Sequence, residues 1–149
     1  MSTLTEALHD ANAQDQVIDD CVELVDKEVQ KKKGMSGMMI KTGYKAVKGI
    51  KPGFIRKVVR SLLPDWAAKL DPLWSEAVAS GAPQQHFERK RSDIAEALLS
   101  VTDEKSREAK NGVVRTTYDK LRPTAKKHVE EAVPALGALL ERHLERTSA

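Results

Sequence analysis

Apolar residues recur along this chain at steps of three and four, the period of helices packed on one side. Thr3 followed by Glu6 has the form of a capping box and predicts a short first helix near residues 3–12. Asp15 is placed to cap a second helix running to about Lys33, on which Val17, Cys21, Val25 and Val29 step by four beside Ile18 and Val22. Lys31, Lys32 and Lys33 fall in its last turn, where the helix dipole favours cations, and Gly34 suits the position just beyond. Ser36 can cap a third helix to about Lys48, with Ile40, Tyr44 and Val47 on one side. The stretch Gly49-Ile50-Lys51-Pro52-Gly53 reads as a turn, with Pro52 at a helix start. Phe54, Ile55, Val58, Val59, Leu62 and Leu63 then form a fourth apolar stripe.

Prolines punctuate the rest. Pro64 and Pro72 are expected to open new segments, Pro72 either kinking its helix or starting another with Asp71 as the cap. Trp66, Leu70, Leu73 and Trp74 are the large apolar groups here, and Gly81 and Pro83 end the region. Residues 84–100 turn Ile94, Leu98 and Leu99 inward, and the polar run 103–112 reads as a connection or an exposed turn of helix. Val113 to Leu121 form a further helix. Pro123 opens a long last one, with Val129, Val133, Leu136, Leu139, Leu140 and Leu144 on its apolar side and a bend at Pro134. No interval sustains the alternation of a strand. The expected fold is all-α: a single-domain bundle of six to eight helices with short Gly/Pro turns, spanning 1–149.

Charge divides this bundle into three parts. Residues 1–26 carry seven acids and no Lys or Arg, residues 27–60 carry eleven bases against Glu28, and residues 61–149 balance. The acidic helices (about 3–33) therefore precede a basic helix-turn-helix (about 36–63) and a mixed-charge helical part (64–146). Such asymmetry suggests an electrostatic surface, unless the acidic and basic blocks face each other within one chain or between copies.

Length and composition fit one soluble globular domain: 149 residues, 40% hydrophobic and 32% charged. The acidic N-terminus has no apolar core segment and does not read as a secretory signal, and no run reaches the ~18 uncharged apolar residues of a membrane span. These features predict a cytoplasmic protein without integral membrane association.

No enzyme chemistry is readable. His9, His86, His128 and His143 form no HExxH motif, and the single pairing of His128 with Glu131 at i, i+3 does not define a metal site. Cys21 lies among Asp19, Asp20 and Glu23, which disfavour a thiolate, and its place on an apolar stripe reads as core. The glycines match neither a GxxxxGK[ST] phosphate loop nor GxGxxG. No catalytic residue, metal, cofactor or small-molecule substrate is identified. Met35, Met38 and Met39 read as core filler rather than a pliable partner groove, and Trp66 and Trp74 read as core anchors.

The stretch from Lys41 to Arg60 carries the one site hypothesis. Helix, Gly-hydrophobic turn and helix resemble a helix-hairpin-helix, in which hairpin amides and a helix N-terminus grip a nucleic-acid phosphate. Its candidate anion-binding residues are Lys41, Lys45, Lys48, Gly49, Lys51, Gly53, Arg56, Lys57 and Arg60. The match is incomplete, since Lys51 stands where the motif has its second Gly and Gly53 arrives two residues late. The bland alternative is a solvated face, with Lys41, Lys45 and Lys48 opposite Ile40 and Val47. The same basic amphipathic stretch could also lie on an anionic membrane surface, at the cost of leaving the core.

The segment SGMMIKTGYKAVKGIKPGFIRKVVRSLLPDWAAKLDPLW, with LLSVTDEKSREAK and RPTAKKHVEEAVPALGALLER, resembles a small, uncharacterised bacterial family, a domain of unknown function. The spacing of Pro52-Gly53, Leu63-Pro64-Asp65 and Thr102-Asp103 carries the likeness across nearly the whole chain. It implies a helical protein with no assigned activity and transfers no functional residue. The functional expectation is a non-enzymatic helical binding or self-association module, with a protein partner or a second copy as ligand. The alternative is sequence-nonspecific nucleic-acid binding through residues 41–60.

Overall fold

A computed structural model describes residues 3–148, with side chains to residue 144. It consists of helices α1 (Leu4–Ala7), α2 (Ala11–Lys31), α3 (Gly34–Lys48), α4 (Phe54–Ala79), α5 (Pro83–Arg89), α6 (Arg91–Glu108) and α7 (Gly112–Ser148). There is no strand among the described residues. The helical periodicity of the sequence is thus realised as a single all-α bundle.

The long helices α4 and α7 organise it. Each packs against α1, α2, α3, α5 and α6. The core gathers Ile18 from α2, Leu63, Ala67 and Trp74 from α4, Phe87 from α5, Ile94 from α6 and Leu139 and Leu140 from α7. Trp74 meets Phe87 edge to face, with ring centroids 5.3 Å apart. Burying such aromatic pairs dominates core energetics. Trp74 anchors the core as expected, and Trp66 packs against it at the margin.

Thr3 caps α1 through a 3.1 Å bond from the Glu6 amide, and α1 is a single turn rather than the expected run to residue 12. Asp71 was expected as the cap of a Pro72 helix. Instead it reaches across to α1, accepting the Leu4 amide at 2.8 Å and the Thr5 amide at 3.2 Å. Two free donors of α1 are satisfied this way, and the turn is fixed to α4.

Pro64 and Pro123 do not open new segments as expected: Pro64 lies inside α4 and Pro123 inside α7. Pro72 also lies inside α4, the reading in which it does not start a new helix, and Pro134 lies inside α7 as expected. All four are solvent-exposed. A proline removes one amide and frees the carbonyl four residues earlier. On the outer face of a helix water can satisfy that carbonyl, and long helices already curve with that side convex. The polar run 103–112 is helical as far as Glu108, where α6 ends, and residues 109–111 connect it to α7.

Two helix starts are also shifted. α2 begins after Asp10, so Asp15 lies on its exposed face, and α3 begins directly after Lys33, so Ser36 lies inside its first turn. Gly34 takes φ +76°, a left-handed conformation that reverses the chain within a single residue. Close approach governs Gly37, where an added Cβ would stand 2.8 Å from the backbone carbonyl carbon of Lys32.

This contact inverts the usual effect of glycine in a helix. Alanine exceeds glycine in helix propensity by about 1 kcal/mol. Gly37→Ala should nevertheless destabilise the protein in urea unfolding by about 1 kcal/mol or more, as overpacking does. Gly112→Ala, with open space around the new Cβ, should be neutral or stabilising. Equal stabilisation by both substitutions would contradict the packing of α3 on the end of α2.

Candidate functional site

The basic turn is largely answered within the chain. Arg56 pairs with Asp19 and lies 3.6 Å from Asp15, Arg60 lies 3.5 Å from Asp15, and Lys48 lies 3.6 Å from Asp26. The acidic block of α2 therefore meets the basic block of α3 and α4 intramolecularly. These are exposed pairs, worth little individually, but they set the charge that remains outside. The amides of the turn are also committed: Gly49 donates to the Lys45 carbonyl and Ile50 to the Val47 carbonyl. Two of the amides that a helix-hairpin-helix would offer to phosphate are thus used inside the protein. Gly53 holds φ +73° ahead of α4.

Lys41, Lys45, Lys51 and Lys57 remain exposed. Lys51 and Lys57 stand close enough that Lys57 lowers the Lys51 pKa below the usual lysine range. The two therefore form a small concentration of positive charge at the α3–α4 turn.

The methionines of α3 contradict the core-filler expectation. Met35, Met38 and Met39 are 87%, 68% and 48% exposed. Their i, i+3, i+4 spacing places them together on the outer face of the first turns of α3. The reason is orientation. Tyr44 donates to Asp26 at 2.7 Å, drawing its side of the helix toward α2. Gly43 lies against Thr117 and Leu121 of α7. Ile40 and Val47 turn inward, and the methionines are left outside. Met38, Met39, Ala46 and Leu121 line a furrow of about 400 Å³ between α3 and α7, with Lys120 at its rim.

Two spaces that share wall residues lie beside α3. An apolar cleft of about 600 Å³ opens between α3, α4, α6 and the start of α7, lined by Val47, Phe54, Val58 and Leu121 among others. An inner chamber of about 270 Å³ lies deeper, walled by Cys21, Leu63, Trp66, Leu98 and Leu136. Val29, Ile40 and Thr102 border both. Protein interiors are normally close-packed.

The polar end of the chamber is formed by Glu28, Lys32 and His128, which also line a surface hollow of about 340 Å³ with Lys31, Lys33, Ser36 and Lys127. Lys32 is 8% exposed, and its Nζ lies 3.5 Å from the His128 carbonyl oxygen and 3.8 Å from Glu131 Oε1. The His128 side chain is nine-tenths buried, and neither ring nitrogen has a hydrogen-bond partner among the described residues. Burial, and next the Lys32 charge, lower its pKa. The sequence places Lys32 at a helix terminus and His128 beside Glu131, which stands 3.5 Å from its Nδ1, but nothing in it joins α2 to α7 at this point.

Two further groups border these spaces without catalytic character. Burial, with Asp20 adding to it, pushes the Cys21 thiol up to about 12, which suppresses the thiolate. Tyr118 donates to Asp103, and Arg122 binds the same carboxylate through Nε at 2.7 Å and a second nitrogen at 3.2 Å. The Arg122 bond holds Asp103 below the usual carboxylate range, so this is a clamp joining α6 to α7. Among the described residues, no group of three or more His, Cys, Asp or Glu side chains converges in a way that could hold a metal ion. No described helix is long and apolar enough to cross a membrane.

The molecule is an all-helical bundle that pairs an outward apolar face with an internal chamber. The chain belongs to a family of unknown function, DUF6918, whose model matches residues 4–144. The uncharacterised family expected from the sequence is therefore found, covering nearly the whole chain. No curated protein and no solved structure matches it.

The setting of His128 has a pH consequence. Its folded pKa lies below the ordinary value of about 6.5, so on acidification the unfolded chain takes up this proton before the folded one. The neutral ring's contribution is complete above about pH 6.5 and declines below it. Lys32 and Lys127 oppose protonation, and Glu131 partly offsets them. Wild type should therefore lose stability relative to His128→Gln between pH 7.5 and 5, by up to about 1.4 kcal/mol per pH unit. A constant difference across that range in urea titrations would contradict the buried, uncharged ring.

Proposed function

We propose that the protein is a non-enzymatic binding module whose partner-docking surface is the methionine face of α3. The observation that carries this reading is the exposure of Met35, Met38 and Met39 side by side. Flexible, polarizable methionines suit partner grooves, and contiguous exposed apolar surface in a soluble protein marks an interaction site. The adjoining furrow between α3 and α7 has the form that accepts an amphipathic helix. Lys41, Lys45 and Lys120 surround it. Two copies of this face would bring like charges together, so the fitting occupant is an acidic amphipathic helix of another protein.

Nucleic-acid binding is a second reading, favoured by the close approach of Lys51 and Lys57. It draws on four exposed lysines, since Lys48, Arg56 and Arg60 already have carboxylate partners.

A photo-crosslinking side chain at position 38 should capture a protein through an acidic helical segment, whereas one at exposed Gln85 should not. Met38→Glu with Met39→Glu should abolish competition by added protein while changing stability by less than about 0.5 kcal/mol. Equal capture at both positions would contradict the docking face. Capture of nucleic acid, lost in Lys51→Glu with Lys57→Glu and retained in the methionine variant, would put the second reading first.

A further inference from the structure

We propose that the inner chamber binds a single-chain amphiphile with a carboxylate head, the chain lying among Leu63, Leu98 and Leu136 and the head meeting Lys32 and His128. This site is separate from the methionine face and does not depend on it.

The chamber's volume and walls define the tail. At about 270 Å³ it is nearly twice the ~150 Å³ cavity that admits benzene. Its walls are contributed chiefly by aliphatic side chains of α2, α4, α6 and α7. The indole N–H of Trp66 is occupied by the Leu98 carbonyl at 3.3 Å, so that ring adds apolar surface rather than a free donor. Val29, Ile40 and Thr102 form a wall common to the chamber and the larger cleft.

The polar end defines the head. Two nitrogen-bearing side chains stand at the boundary between chamber and surface hollow, both about nine-tenths buried. Buried polar groups ordinarily have hydrogen-bond partners, yet neither His128 ring nitrogen makes a hydrogen bond among the described residues, Nδ1 standing 3.5 Å from Glu131 Oε1. Lys32 has only two long contacts, the His128 carbonyl oxygen at 3.5 Å and a half-exposed Glu131 at 3.8 Å. A carboxylate placed here would take a charge-assisted bond from Lys32 and a bond from the imidazole N–H. Glu28 and Glu131 line the same hollow, which disfavours a head of higher negative charge. Glu131 also competes with the incoming carboxylate for Lys32.

Titration calorimetry of the full chain with dodecanoate, dodecanol and dodecyltrimethylammonium tests the assignment. Dodecanoate should bind one per chain, at least tenfold more tightly than the alcohol or the cation, as loss of a charged hydrogen bond implies. Lys32→Met should weaken dodecanoate about tenfold or more while leaving dodecanol unchanged. Glu131→Gln should strengthen dodecanoate severalfold, an effect of opposite sign that a purely structural role would not produce. Lys105→Met with Lys110→Met, at the far cleft, should leave its affinity unaltered. No saturable binding, equal affinity for the three ligands, or loss in the Lys105/Lys110 variant with retention in Lys32→Met would overturn the proposal. Unfolding of Lys32→Met would shift the same question to Glu131→Gln, whose failure to tighten binding would also overturn it.

Discussion

The burial of α7 is the constraint on which the rest of the structure depends. Its 37 residues extend about 55 Å at the helical rise, and every other helix is shorter. No single neighbour can cover its apolar stripe, so five helices share it. Phe87, Val133, Leu139 and Leu140 are buried toward its second half, where Leu136, Leu139 and Leu140 also wall the chamber. Toward its first half α3 approaches through Gly43, and the cleft lies among α3, α4, α6 and the start of α7. The clamp of Asp103 with Tyr118 and Arg122 ties α6 to α7 beside that cleft.

Charge is resolved in the same local way. Asp15 and Asp19 draw Arg56 and Arg60 to α2, and Asp26 holds Tyr44 and Lys48. These exposed contacts link α3 and α4 to α2 and give three of the surface cations a carboxylate neighbour. The same rotation of α3 that seats Tyr44 turns its methionines outward. The outer face and the inner space are thus two consequences of one helix placement.

Much of this was legible in the sequence. The 3.6-residue period gave the helices, Thr3 gave the first cap, and the stripe ending in Leu139, Leu140 and Leu144 gave the buried side of α7. Stop signals were less informative. Pro64, Pro72 and Pro123 have the local chemistry of breaks, but whether a proline ends a helix depends on whether its freed carbonyl faces water, which is a tertiary property. Met35, Met38 and Met39 were misplaced for a related reason: their spacing defines a face but not which way it turns. The basic residues at 41–60 were visible as a block, while their partners on α2 were not. The chamber left no sequence signal, because a deficit of packing volume belongs to several helices at once. Lys32 and His128 lie 96 positions apart, and no motif links them.

An apolar space of this size with a lysine and a histidine that makes no ring hydrogen bond at its boundary is the account's central feature. A crystal structure of the protein grown with 12-bromododecanoate tests it most directly, because bromine marks the far end of the chain by anomalous scattering. The account predicts a bromine peak beyond the chamber's Leu63, Leu98 and Leu136, with the carboxylate at Lys32 Nζ. A chamber closed by those leucines at saturating ligand, or bromine found only on the protein surface, would contradict it.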